Sequence, residues 1–358
     1  MLDPSLIKRF RNKVNANSYY ILHKYRNQSG ENRWNIICSA MDWITVSVNN
    51  YNDINFEKNN IDKYCMQVYA FISTIDILFE AITQIYRVLM ETKSKPFKGE
   101  KKIFKKNIDK DDNAYFKHIR AVFGAHSVDL NDQKEKWFAS WPVVGDFDDY
   151  DLHVYLYPLS SDKHSVPFGL YLEELKEFAE TRYNYLNTLI EKIDIDFEIY
   201  KKKCQQDRIN FTGDPLKDAI ICRTMLNQRL PNDYYGGMIE DIIRYLSPQN
   251  TLVENLEKVT SFLDEVKKAL NGIKEDIQNL SYEERDSYKI FNYDYPSDKF
   301  YYFSKYLEVL QGNSDPLASF YFDRISDILK PYVAMDPSMD DDEIYLLIHV
   351  GLFLINTQ

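Results

Sequence analysis

The sequence predicts a mainly α protein, built of helical bundles with one small antiparallel β insert. Glycine and proline are scarce, with 11 and 12 among 358 residues, which favours long helices over a turn-rich β fold. Apolar side chains recur at helical spacing over residues 60–92 and again over 252–280. Short alternating apolar runs, typical of strands, are confined to residues 136–170.

The chain length predicts two domains. Gly213, Asp214 and Pro215 form a break between helical stretches, and we place the domain boundary there. The first domain is then helical over residues 1–212 and contains the β insert at 136–170. The second domain, over residues 213–358, is predicted to be a C-terminal helical bundle.

Helical patterns fill both domains outside the insert. Residues 33–50 leave one alternative open, because Ile44 to Val48 also suit a strand. Over residues 252–280 the gaps between apolar residues alternate between four and three, which fits an antiparallel bundle within the chain better than a dimerising coiled coil. Helices are predicted over residues 3–27, 33–50, 60–92, 170–206, 215–228, 235–246 and 252–280, with a buried helix over 344–355.

Composition excludes several classes of protein. The net charge of −11 argues against a general nucleic-acid coat, which needs clustered positive charge. The four cysteines are far apart and lack a CxxC pair, so we expect reduced thiols, a cytoplasmic protein and no zinc site. No signal peptide and no membrane span are predicted. The chain has no P-loop, GxGxxG, HExxH or GxSxG motif, so no cofactor is expected.

The stretch from Tyr115 to Asp129 carries the candidate chemistry. It is predicted to be a short helix that ends near Phe123, with Gly124 at the position of a C-terminal cap. Arg120 lies in the last turn and His126 just beyond it. A guanidinium can hold a phosphate through two hydrogen bonds, and an imidazole can move a proton near neutral pH. This pair suits cleavage of RNA by its own 2′-hydroxyl.

The same residues resemble the signature of the HEPN superfamily, in which an arginine and a histidine are separated by four to six residues beside a long helix. The match covers roughly residues 60–130. It departs from the family pattern at Ala121, where a polar residue is usual, and at Ser127, where a proline is common.

The HEPN resemblance implies a metal-independent endoribonuclease in a toxin–antitoxin or phage-defence role. It implies a homodimer whose two motifs face one cleft, RNA as substrate, and an antitoxin or other regulatory protein as a further partner. Arg120 would stabilise the phosphate and His126 would act as general base or acid. The alternative is a non-catalytic HEPN-like helical module that binds a nucleotide or a protein.

Acidic residues on the long helix at 60–92 are candidates to orient the arginine. Asp76, Glu80 and Gln84 recur every four residues along one side of this helix. We predict that Glu80 or Asp76 holds Arg120. The alternative is that this side of the helix faces solvent, and we favour that alternative for Gln84.

A dense run of lysines directly precedes the motif. Pro96 and Gly99 make this run a loop rather than a helix. One interpretation is a mobile clamp on the RNA backbone, with each lysine a point charge for a phosphate. The other is a solvated linker. The predicted RNA-binding residues are Lys93, Lys95, Lys98, Lys101, Lys102, Lys105 and Lys106.

Overall fold

The computed structural model divides into two compact units, Met1–Phe197 and Glu198–Gln358. The division lies within a helix, ahead of the boundary predicted at Gly213. Asp214 instead caps the helix that follows, because its side chain accepts a hydrogen bond from the backbone N–H of Lys217. The structure describes residues 1–27, 30–107, 109–125, 130–132, 135–141, 149–248, 251–282, 288, 290–291, 293 and 299–357.

The first unit is helical apart from a small sheet. Its helices are α1 (Pro4–Ala16), α2 (Ser18–Tyr25), α3 (Trp34–Asp53), α4 (Ile61–Leu89), α5 (Asp112–Arg120), α6 (Leu172–Asn184) and α7 (Leu186–Gln206), the last of which continues into the second unit. Its strands are β1 (Leu130–Asp132), β2 (Glu135–Ser140), β3 (Leu152–Pro158) and β4 (Val166–Leu170).

Helix α4 is the centre of this unit. It packs against α3, α5 and α6, and Tyr64, Ile75 and Leu78 of its apolar stripe are completely buried. By length and composition α4 is apolar enough to cross a membrane, but 56% of its most apolar window is buried within the protein. Asn60 caps its start by accepting from the backbone N–H of Lys63 at 3.1 Å. The predicted long helix over 60–92 is confirmed.

The predicted β insert is confirmed as an antiparallel sheet with strand order β1-β2-β3-β4. Burial alternates along β3 from Val154 to Tyr157, because Val154 and Leu156 are buried whereas Tyr155 and Tyr157 are exposed. At the start of the strand Leu152 and His153 are both buried. Strand β1 was missed, since three residues are too short for an alternating pattern.

Two predicted helices are each divided in the structure. The helix predicted over 3–27 divides at Asn17, and the one over 170–206 divides at Tyr185. In both cases the apolar spacing continues across the position, so periodicity alone does not reveal the division. The stretch from Ile44 to Val48 is helical, so the strand alternative is wrong.

The second unit is a helical bundle. Its predicted helix over 252–280 packs within the chain against the helices Pro215–Arg229, Asp233–Leu246 and Asp341–Thr357, which supports the intramolecular interpretation of the heptad pattern. The buried stripe begins at Val259, because Leu252 and Leu256 are exposed. The helices are α8 (Pro215–Arg229), α9 (Asp233–Leu246), α10 (Leu256–Asn279), α11 (Phe300–Leu310), α12 (Ala318–Leu329) and α13 (Asp341–Thr357).

Candidate functional site

Arg120 forms an ion pair with Asp76 across the contact between α5 and α4. Nε of Arg120 lies 2.8 Å from Oδ2 of Asp76. The carboxylate side chain is 21% exposed and the guanidinium 44% exposed, so the arginine is held on one side and open to solvent on the other. Burial raises the pKa of Asp76 above its usual range, although the positive charge of Arg120 opposes this shift. Within the described residues Arg120 has no second ion pair.

Glu80, the other predicted orienting acid, is engaged along its own helix. Its Oε1 accepts a hydrogen bond from Nε2 of Gln84 at 2.9 Å and lies 4.0 Å from Nη1 of Arg87. Glu80 therefore bonds residues one and two turns further along α4. The structure places Asp76, rather than Glu80, against the arginine.

The helix that contains Arg120 does not end as predicted. Residues Ala121–Ala125 form a π-helical turn that continues α5, a feature often found at functional sites. Gly124 lies inside this turn and lacks the left-handed φ of a C-terminal cap. A Cβ at this position would lie 3.2 Å from the Tyr69 ring of α4, so close packing is the reason for glycine here. His126 lies outside the described residues.

The start of α5 anchors the lysine loop through three consecutive side chains. Asp111 accepts hydrogen bonds from the backbone N–H groups of Gly99 and Ala114, at 2.9 and 2.8 Å. The buried carboxylate of Asp112 accepts from Lys102 and Ile103, at 2.9 and 3.3 Å.

Asn113 completes this anchor. Its Nδ2 donates to the carbonyl of Pro96 at 2.9 Å, and its Oδ1 accepts from the buried guanidinium of Arg182 at the same distance. That guanidinium also lies 3.9 Å from the centre of the Phe178 ring. The loop backbone is therefore tied to the core of the unit at several points.

The run of seven lysines divides into two groups with different surroundings. Lys93, Lys95 and Lys98 line one cavity, together with Arg87 from α4 and Lys117 from α5. Lys101 and Lys102 instead bond the carbonyl of Asp109 and the carboxylate of Glu100. Lys106 lies over the Tyr150 ring at 3.9 Å, and Lys105 is exposed.

Arg87 and Lys117 are the cations that the sequence reasoning missed. Lys117 precedes Arg120 by one helical turn, so helical spacing predicts that the two share a face of α5. Spacing gives no such signal for Arg87, which reaches the cavity through the packing of α4 against α5.

A groove of about 600 Å³ lies between α3 and α4, next to the Arg120–Asp76 pair. Its walls include Ile36, Trp43 and Ile77, which are 38%, 52% and 40% exposed. Asp76 and Glu80 lie on its α4 side. An apolar surface thus adjoins the ion pair.

Among the residues that the structure describes, no group of three or more histidine, cysteine, aspartate or glutamate side chains is arranged to hold a metal ion. The acidic residue Asp151, for example, serves the fold, because its carboxylate accepts from the backbone N–H of Leu172 at 3.0 Å. No family model, no curated protein and no solved structure matches this chain.

Proposed function

We propose that the chain is a metal-independent endoribonuclease of the HEPN type, with Arg120 and His126 as its catalytic residues. The observation that carries the proposal is the ion pair of Arg120 with Asp76, which fixes the guanidinium while leaving it 44% exposed. A guanidinium that is held from one side can bind a phosphate from the other without having to be ordered first.

In the proposed reaction the 2′-hydroxyl of one nucleotide attacks the adjacent phosphorus. An imidazole accepts the proton of that hydroxyl, and the leaving 5′-oxygen receives a proton in its turn. Negative charge builds on the phosphate oxygens, where Arg120 stabilises it. The products are a 2′,3′-cyclic phosphate and a 5′-hydroxyl end. His126 is assigned the proton transfer by its place in the motif.

A homodimer is part of this proposal, and the groove between α3 and α4 is the surface that suits it. The exposed side chains of Ile36, Trp43 and Ile77 lie beside Asp76, so a second copy seated there would bring two arginines to one interface. Trp43→Asp should then give a folded monomer with reduced activity, measured by analytical ultracentrifugation and by RNA cleavage.

The test of the proposed function is RNA cleavage in the presence of EDTA. Wild-type protein should cleave and leave a cyclic phosphate, whereas His126→Ala and Arg120→Lys should lose about 10²–10⁴-fold in rate. Arg120→Lys should lose activity because an ammonium cannot form the two parallel hydrogen bonds that a planar guanidinium donates to a phosphate. Cleavage that requires added magnesium, or full activity of His126→Ala, would falsify the mechanism.

A second candidate is a non-catalytic binding module, and the observation that favours it is the same groove. A partly apolar groove of about 600 Å³ is within the usual size of ligand sites. The two candidates differ in one measurement: a module binds its nucleotide or protein partner equally well after Arg120→Lys and cleaves no RNA.

A further inference from the structure

The cavity at the start of the lysine loop has the composition of an anion site. It has a volume of about 340 Å³, near the lower end of ligand pockets. The charged residues that line it are Arg87, Lys93, Lys95, Lys98, Lys117 and Asp111. Five cations thus face one carboxylate, in a chain whose net charge is −11.

The single carboxylate is already engaged. The two oxygens of Asp111 accept from the backbone N–H groups of Ala114 and Gly99. Within the described residues, no carboxylate lies within ion-pair distance of Lys93, Lys95, Lys98 or Lys117. Most lysines that form ion pairs elsewhere in this chain, such as Lys63 and Lys102, have an acidic neighbour within 3.0 Å. These four lysines therefore carry uncompensated positive charge, whereas Arg87 lies 4.0 Å from the carboxylate of Glu80.

The cations of the cavity also crowd one another. Burial, together with the neighbouring ammonium of Lys117, lowers the pKa of Lys95 to about 8. Glu80 and the Phe79 ring, whose centre is 5.8 Å from Nζ of Lys95, offset the repulsion only in part. A bound phosphodiester, which carries one negative charge, would reduce this repulsion.

The cavity lies next to the Arg120 site along α4 and α5, two helices that run in opposite directions. On α5, Ala114 and Lys117 line the cavity and Arg120 follows one turn later, roughly 4.5 Å along the axis. On α4, Asp76 pairs with Arg120 and Arg87 lines the cavity, about 16 Å further along. The charges of Lys95 and Lys117 also act on Asp76. Positively charged side chains thus extend along α5 from Arg120 to Lys117, which lines the cavity.

We propose that this cavity, with Arg87, Lys95 and Lys117 at its centre, binds a second phosphate group of the single-stranded RNA whose adjacent phosphate is held by Arg120. The inference rests on the proposed function, since it takes RNA as the ligand. It adds a subsite to that function, because the cavity would position the RNA strand. Helix α5 connects this subsite to Arg120.

The test is binding of a short 2′-O-methyl RNA oligonucleotide, which carries the phosphates but cannot be cleaved by the 2′-oxygen. Lys95→Gln with Lys117→Gln should weaken binding by roughly tenfold or more, because glutamine cannot form charge-assisted hydrogen bonds to phosphate. The slope of log K against log salt should also fall by about 0.7 for each phosphate that is no longer neutralised. Lys8→Gln with Lys176→Gln, on α1 and α6, removes the same charge elsewhere and should leave both quantities nearly unchanged.

The outcomes separate this proposal from the proposed function. Binding that depends on Lys95 and Lys117 supports the subsite even if wild-type protein cleaves no RNA. Equal losses in the two double variants overturn the subsite, even if cleavage with EDTA is observed. Wild-type protein that binds adenosine monophosphate in the cavity and ignores the oligonucleotide also overturns it, because the phosphate then belongs to a free nucleotide. Circular dichroism of each variant establishes that the fold is intact.

Discussion

Asp76 on α4 holds Arg120 on α5 with Nε and Oδ2 only 2.8 Å apart, while Glu80, one turn along the same helix, bonds Gln84. The two acids share a helix face but do different things. One fixes a cation of the candidate site, and the other stabilises the helix that carries it.

This difference predicts unequal effects of two similar substitutions. Asp76→Asn should reduce RNA cleavage by about 10²-fold, because the guanidinium loses the charge that positions it. Glu80→Gln should cost much less, since it keeps the size of the side chain and leaves the Arg120–Asp76 pair intact. Initial rates at saturating RNA would compare the two, and a larger loss for Glu80→Gln would contradict the assignment.

Helical spacing predicts that Asp76 or Glu80 pairs with Arg120, but it does not indicate which of the two acids does so. The apolar stripe of α4 is regular enough to predict a buried helix and to place Asp76 and Glu80 on one side. Which acid meets Arg120 depends on how α5 crosses α4, and that is decided by packing between residues distant in the sequence. The π-helical turn after Arg120 has no sequence signature of this kind.

The lysine loop shows a second limit of sequence reasoning. Its lysines are near one another in the chain, yet Lys98 faces the cavity and Lys106 lies over an aromatic ring. Their directions are determined by bonds from Asp111, Asp112 and Asn113 to the loop backbone, which cannot be deduced from the composition of the loop itself.

The anchor of the loop makes a prediction about stability. Asp112→Ala removes a buried acceptor of backbone N–H groups from Lys102 and Ile103, and should lower the free energy of unfolding by about 2 kcal/mol or more. Hydrogen exchange of the loop amides should speed up as well. Asp109→Ala, at an exposed position beside the loop, is the control and should change stability by no more than about 0.5 kcal/mol. Equal effects of both variants would refute the anchor.

The division of the lysines predicts unequal contributions to RNA binding. Replacing Lys93 and Lys98 by glutamine should lower the salt slope of binding by about 0.7 for each phosphate that these lysines neutralise. Replacing Lys102 and Lys105 should lower it less, because Lys102 is paired with Glu100 and neither residue lines the cavity. The measurement is fluorescence anisotropy of a labelled oligonucleotide over a range of salt. Equal slopes for the two variants would contradict the division of the lysines into two groups.

A buried histidine in the second unit predicts how that unit responds to acid. His349 on α13 is 6% exposed, and its Nδ1–H donates to the carbonyl of Tyr345 at 2.8 Å. The rings of Tyr245 and Tyr293 also lie close to it. Burial, helped by the positive charge of Arg244, lowers the pKa of His349 from 6.5 to about 4.

The sign of the acid effect follows from proton binding. Between pH 6.5 and about 4 His349 is protonated in the unfolded chain but stays neutral in the folded unit. The free energy of unfolding therefore decreases as the pH falls from 6.5 to about 4. The slope contributed by His349 should reach at most about 1.4 kcal/mol per pH unit. His349→Phe should flatten the dependence, whereas His164→Gln, at an exposed position, should not. Hydrogen exchange of the α13 amides measures this locally, and an unchanged slope in His349→Phe would show that other groups govern the acid response.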